Sequence, residues 1–302
     1  MRPSPLAGLL AAALLLAGAA LCGPVPAAGA AEGKPTAPSA AIGAGAGAPA
    51  PRAVPAGMAY VPAGMYRPLY RPSQADPRPG QQAAAATDEV PVAAFFLDVY
   101  PVTNADYVAF LRAQPRWQRS RVPHLFADEG YLSAWVGGLE PGPQAPPDRP
   151  VVRVSWFAAR AFCKWRGRQL PTIAQWERAA AATETLADGH ADPAFEQRIL
   201  EWYGRPTPSV PAPVGSTFRN LWGIYDLHGL VWEWTRDFNT ALVTGESRGD
   251  SGVERSLFCA AGSVGAADPG DYAAFMRFAF RSSLRGDYTA SSLGFRCALP
   301  AP

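Results

Sequence analysis

The stretch Pro150–Ala180, PVVRVSWFAARAFCKWRGRQLPTIAQWERAA, decides the fold. Val151, Val152 and Val154 are β-branched neighbours, and the run predicts a short buried strand. Ser155 then stands before Phe157, Ala161, Phe162 and Trp165, which recur at helical spacing. A serine in that place can accept a hydrogen bond from the first turn, so the spacing predicts a capped helix that stops at Gly167. Leu170-Pro171-Thr172 opens a second helix running through Trp176, with Thr172 as its N-cap.

On the N-terminal side, MAYVPAGMYRPLYRP from Met58 alternates apolar and polar residues and is broken by Pro and Gly, the pattern of a short strand and turn. Phe95–Val99 reads as another strand. Thr103 or Asn104 can cap a helix carrying Tyr107, Val108, Phe110 and Leu111. A Pro/Gly-rich loop covers about Gly137 to Pro150. Beyond about Thr183 the reading is of short elements, with no internal repeat. Two helices in the middle, with strands and turns around them, predict an α+β domain of low regular content.

The remaining sequence limits what the chain can be. Leu6–Leu21 is an apolar core behind Met1-Arg2 and ahead of small residues, with Ala28-Gly29-Ala30 as a cleavage motif. This is the pattern of a secretory signal peptide, expected over 1–31, and the run is too short and too rich in Ala and Gly for a membrane span. Cys22 offers a lipid-anchor alternative, which the bulky Leu21 before it disfavours. Residues 32–57 are Ala, Pro and Gly with few large apolar side chains, so they are expected to form a disordered tether. The domain expected over 58–302 holds roughly 245 residues, enough for one large core, and all nine tryptophans. The net charge is +2 with mixed signs, so nothing points to nucleic acid. Cys163, Cys259 and Cys297 remain after export, an odd number in an oxidising compartment. One disulfide and one free thiol is the simplest arrangement.

Taken together, MAYVPAGMY, FFLDVYPVTNADYVAF, PVVRVSWFAARAFCKWRGRQLPTIAQWERAA, YDLHGLVWEW and LGFRCA resemble, in that order, the formylglycine-generating-enzyme or sulfatase-modifying-factor family. The resemblance covers nearly all of 58–299 and implies a variant of the C-type-lectin-like fold. It also implies that Cys163 in AFCKW and Cys297 in GFRC form a structural disulfide.

Catalytic members hold Cu(I) between two cysteines and use oxygen to convert a substrate cysteine into formylglycine. A pair of thiolates suits the soft cuprous ion. Counting back from GFRC without gaps puts the second copper cysteine at Ala273. The first falls on Cys259 with a longer insertion, or on Ala266 if Ala261-Gly262-Ser263 matches the family's GGS. In either alignment the thiolate pair is incomplete. Cys259 and Ser263 are the catalytic candidates that the resemblance offers, and Cys259 is the copper candidate, with Met276 or a histidine as a conceivable co-ligand. The bland alternative is a thiol without chemistry. His124, His190 and His228 lack ligand spacing and read as surface or packing residues.

Calcium is the second cofactor that the resemblance implies. Here Leu230 in GLVWEW replaces an asparagine oxygen, and Glu233 is the candidate ligand that remains; calcium takes about 6–8 oxygens. Trp232 and Trp234 read as core. Asp237, Asn239, Glu246, Asp250 and Glu254 could gather round a divalent ion or simply solvate a loop. Arg277, Arg281 and Arg296, with Arg285 nearby, could line an anion pocket or form salt bridges within the fold.

G-x-S-x-G, H-E-x-x-H, Walker and Rossmann patterns are absent from the sequence. Three readings of function stand. One is an accessory or maturation factor for a periplasmic enzyme, with a copper enzyme suggested because GLVWEW and YAAFMRFAFRSS resemble the branch found beside bacterial copper nitrite reductases. The others are an oxidase using a rearranged site at Cys259, and a non-catalytic lectin-like module that binds a ligand or protein partner.

Overall fold

The computed structural model describes residues 53–69, 89–239 and 271–302. The signal and nearly all the tether therefore lie outside the described residues, as do Cys259, Ser263, Ala266, Glu246, Asp250 and Glu254. Ala56 and Gly57, which composition puts in the tether, are hydrogen-bonded into the domain. Gly57 O accepts from Val99 N at 3.0 Å, and Ala56 O accepts from the Arg168 guanidinium at 3.1 Å.

Regular structure is sparse, as expected. Strands β1 (Met58–Val61), β4 (Phe95–Asp98) and β7 (Ala298–Pro300) form an antiparallel sheet in the order β1-β4-β7. In register, Val61 pairs with Phe95 and Leu97 with Ala298, so the two ends of the domain meet on one central strand. Strands β2 (Gly64–Tyr66) and β3 (Val90–Val92) pair antiparallel. Strands β5 (Trp232–Glu233) and β6 (Leu293–Gly294) pair parallel. Gly294 has a packing reason: a Cβ there would stand 2.8 Å from the Val151 carbonyl oxygen.

Helix α1 (Asn104–Ala113) has Thr103 as its cap, closed reciprocally by Asp106. Helix α2 (Trp156–Trp165) is capped by Ser155 and ends before Gly167, whose φ is +70°. Helix α3 (Ile173–Ala180) is capped by Thr172 with Gln175 completing the box. These three starts match the sequence reading because each depends on a side chain within one turn of the backbone it satisfies.

Two readings are corrected. Val151–Val154 is not a strand, although Val151 and Val154 are fully buried. Pro150 makes a single bridge to Thr103, and Arg153 then turns left-handed at φ 57° and ends the pairing. The region after Thr183 also holds two 11-residue helices, α4 (Pro193–Tyr203) and α5 (Tyr272–Ser282). The start of α4 was legible: Asp192 caps it, Pro193 occupies the first turn and Glu196 follows. In α5 the buried residues are Ala273, Arg277 and Arg281, so its inward face does not look apolar.

The larger core packs α1 and α2 round Tyr107, Phe110, Phe162, Trp234 and Phe295. Cys163 of α2 is bonded to Cys297, next to β7, across 134 residues. Closing a loop of that length stabilises by about 5 kcal/mol in the chain-entropy model. A second core lies between the β1-β4-β7 sheet and Trp176, Ala179 and Ala180 of α3. Among the described residues, no helix is long and apolar enough to cross a membrane.

Candidate functional site

Two buried ion clusters hang from α3 and the strand after it. Glu177 of α3 faces α5, where Arg277 Nε reaches both carboxylate oxygens at 3.0 Å and its Nη2 lies 2.9 Å from Oε2. Arg281 donates to Glu177 as well, and its guanidinium lies over the Trp176 ring at 4.9 Å. Arg277 Nη1 donates to the Tyr203 hydroxyl at 3.3 Å. Burial by itself would raise the Glu177 carboxyl, but the charges of Arg277 and Arg281 together outweigh it and hold it at about 2.

The second cluster is built on Glu233 of β5. Arg296, fully buried, sends Nε to Oε2 at 2.8 Å and Nη2 to Oε1 at 2.8 Å. Its other N–H groups donate to the carbonyls of Asp98 at 3.0 Å and Tyr225 at 2.9 Å. Trp176 Nε1 donates to Glu233 Oε2 at 2.8 Å.

The geometry bears on two candidate roles. Arg296 spends its donors on Glu233 and backbone carbonyls, and Arg277 and Arg281 pair with Glu177, so all three form the salt bridges within the fold that the sequence offered beside an anion pocket. Glu233 has both oxygens engaged by Arg296 and Trp176, and the neighbouring Leu230 is buried, so the donor set does not fit calcium. Trp234 is fully buried with its indole N–H on the Val154 carbonyl, and Trp232 stacks between Tyr203 and Phe280 at 4.8 and 4.4 Å. Both are packing residues, as the sequence suggested.

Beside the Glu177 cluster lies a cavity of about 290 Å³. Ala180 and Ala181 at the end of α3, Phe195 and Ile199 of α4, and Ala273 and Arg277 of α5 form much of its wall. Arg67, Glu196 and Asp271 bring charge to it, and His190 and His228 line it too. The His190 Nδ1 is 2.5 Å from Asp188, and its Nε2 is 3.8 Å from Asp271. The His228 ring is buried, with Nε2 3.0 Å from the Ala180 carbonyl oxygen. Burial first, and the Arg277 charge next, push its pKa down to about 3, so the ring is neutral.

Ala273, where the gap-free count from GFRC puts a copper cysteine, is 3% exposed on this wall. Its methyl group is no metal ligand. Among the described residues, no three His, Cys, Asp or Glu side chains are grouped to hold a metal ion. Met276 sits on α5 and His124 is exposed in the loop before Leu125. The described residues therefore do not fit the bis-thiolate copper centre. The cavity itself escaped the sequence reading, because α4 and α5, which build two of its walls, were not recognised.

The sulfatase-modifying factor enzyme 1-like domain matches residues 45–301, and the chain belongs to that family. Its fold is accordingly the mixed helix-and-strand fold of sulfatase-modifying factors. The chain is 30% identical over 304 residues to the formylglycine-generating enzyme of Bos taurus, covering 82% of this chain and 78% of that one. Identity is 32% over 222 residues to the enzyme of Streptomyces coelicolor, covering 68% and 67%. It is also 29% identical over 283 residues to the inactive C-alpha-formylglycine-generating enzyme 2 of Mus musculus, covering 81% and 86%. Among solved structures, PvdO from Pseudomonas aeruginosa matches with a TM-score of 0.43 at 21% identity, covering 81% of this chain and 94% of that one.

Proposed function

We propose that this chain is an exported formylglycine-generating-enzyme-like protein that serves as an accessory or maturation factor for a periplasmic enzyme. Copper-dependent oxidation of a substrate cysteine is lost or altered in it. One observation carries the reading: Ala273 on the cavity wall, where the family pattern asks for a thiolate. An alanine cannot bind Cu(I), and one remaining thiol holds that ion poorly. Similarity to a family member whose name describes it as inactive is consistent with a fold kept after its chemistry changed. Export rests on the Leu6–Leu21 signal, and the copper-enzyme partner rests on the resemblance carried by GLVWEW and YAAFMRFAFRSS.

The test is a Cu(I) competition titration on the purified protein against a chromogenic chelator, with Cys259→Ser in parallel. A cysteine-bearing sulfatase peptide is assayed for formylglycine by mass spectrometry. The expected result is no chelator-competitive Cu(I) binding and no formylglycine. One-to-one binding that disappears in Cys259→Ser, together with formylglycine formation, would return the protein to the oxidases.

A further inference from the structure

His190 stands between two carboxylates. It lies in the loop from α3 to α4, where its backbone N–H donates to Asp188 Oδ1 at 2.9 Å and its ring Nδ1 is 2.5 Å from the same oxygen. A carboxylate only accepts, so Nδ1 carries the proton of the neutral ring. Nε2 is then a bare lone pair, and Asp271 Oδ2 lies 3.8 Å from it. Asp271 is the N-cap of α5; its Oδ1 accepts from Ala274 N at 2.7 Å, which leaves Oδ2 to face the ring. The neutral ring thus sets one acceptor against another. The imidazolium has an N–H for each carboxylate, so only the charged ring satisfies both.

We propose that His190 is a pH-operated latch: its protonation ties the α3–α4 loop to the first turn of α5 along the cavity wall, and its deprotonation releases them. Gly189 and His190 bring the loop to that wall, and Asp271, Ala273 and Ala274 bring α5. Besides Asp188 in its own loop and Asp271 of α5, the charges round the ring are Arg67 from the loop after β2, Arg178 of α3 and Glu196 of α4. Arg67 is met by Glu89 at 3.2 Å, and further along the wall Glu177 is paired with Arg277 and Arg281. Asp188, Glu196 and Asp271 therefore outnumber the cations left over, Arg178 and one arginine of α5, and the balance favours the charged ring. Burial would raise the Asp188 carboxyl, but the His190 amide and ring outweigh it and hold it below its ordinary value, so Asp188 keeps its charge while the ring titrates. The His190 side chain is 37% exposed and that of Asp271 20%, so the contact has the modest strength of a partly screened ion pair, which suits a reversible latch. The latch sets how firmly two walls are held, not what the cavity takes; it goes beyond the maturation-factor reading and is tested without copper or a substrate peptide.

The experiment follows the full chain by NMR between about pH 8 and about pH 5, the range in which a histidine ring ordinarily changes charge. At the upper end, long-range proton–nitrogen spectra of ¹⁵N-histidine-labelled protein should place the His190 proton on Nδ1. The Ala274 and Phe275 amides, bonded to Asp271 in the first turn of α5, report the latch through hydrogen exchange corrected for the intrinsic rate. Their protection should rise roughly two- to fivefold as the ring gains its proton, while the Gln114 amide at the end of α1 stays constant. His190→Asn removes the titration, and Asp271→Ser keeps a capping oxygen without its charge. The rise should vanish in both. A proton on Nε2 at the upper end, protection that does not change with pH, or a rise that survives in either variant overturns the proposal. The tautomer and the wild-type pH series need no variant, so a misfolded variant would not shield it.

Discussion

Replacing Glu177 by glutamine keeps the shape of the side chain and removes its charge, leaving Arg277 and Arg281 buried without a counterion. Both guanidiniums are over nine-tenths buried, so neither recovers water. Breaking a buried pair by deleting one partner costs about 3–5 kcal/mol, and two arginines losing one carboxylate argues for the upper half of that range. Proton linkage gives a second figure. Against an ordinary value of 4.5, the native carboxyl is held at about 2, a difference worth about 3 kcal/mol. The sign follows from the depressed value: the contribution is present above about pH 4.5 and is lost as pH falls towards 2. At about 2–4 °C per kcal/mol for a domain this size, Glu177→Gln should melt about 8–20 °C lower at pH 7. Urea unfolding of both proteins at pH 7 and across pH 2–5 is the assay. The stability gap should be widest at neutral pH and close as the wild-type carboxyl protonates. Adding Arg281→Met to Glu177→Gln should recover part of the loss, because one uncompensated charge goes with it. The reasoning is refuted if Glu177→Gln stays within about 1 kcal/mol of wild type, or if the gap stays constant down to pH 2.

The other expectations are briefer. Reducing the Cys163–Cys297 bond, or Cys163→Ser, should cost about 5 kcal/mol by the chain-entropy model, read as a lowered urea midpoint. Glu233→Gln should destabilise by about 3–5 kcal/mol by stranding Arg296, and calcium against chelator should leave the wild-type melting temperature unchanged. A calcium-dependent rise that vanishes in Glu233→Gln would restore that glutamate as a ligand. Gly294→Ala should cost about 1–3 kcal/mol, because the new Cβ would meet the Val151 carbonyl at 2.8 Å and backbone cannot rotate away as a side chain can. Thermal melts with near-ultraviolet dichroism would show whether the loss comes with loosened packing round Trp234.

What the sequence determined by itself was local or shared across a family. Thr103, Ser155 and Thr172 announce their helices because a cap and the amide it satisfies lie within one turn. The five ordered motifs announce the family, and with it the disulfide, which no spacing of three cysteines could have assigned. Only the tertiary structure decided which charges meet. Glu177 and Arg277 are 100 positions apart and Glu233 and Arg296 are 63, so their attraction has no sequence period. The same distance effect hid α5, whose buried face reads as polar until its arginines are seen against a carboxylate on another helix. It also hid the surroundings of His228, whose buried ring is enclosed by Ala180 and Trp176 of α3 and Phe195 of α4. Capping and patterning are short-range and written along the chain, whereas the cavity and its charge balance exist only once α3, α4 and α5 have packed together.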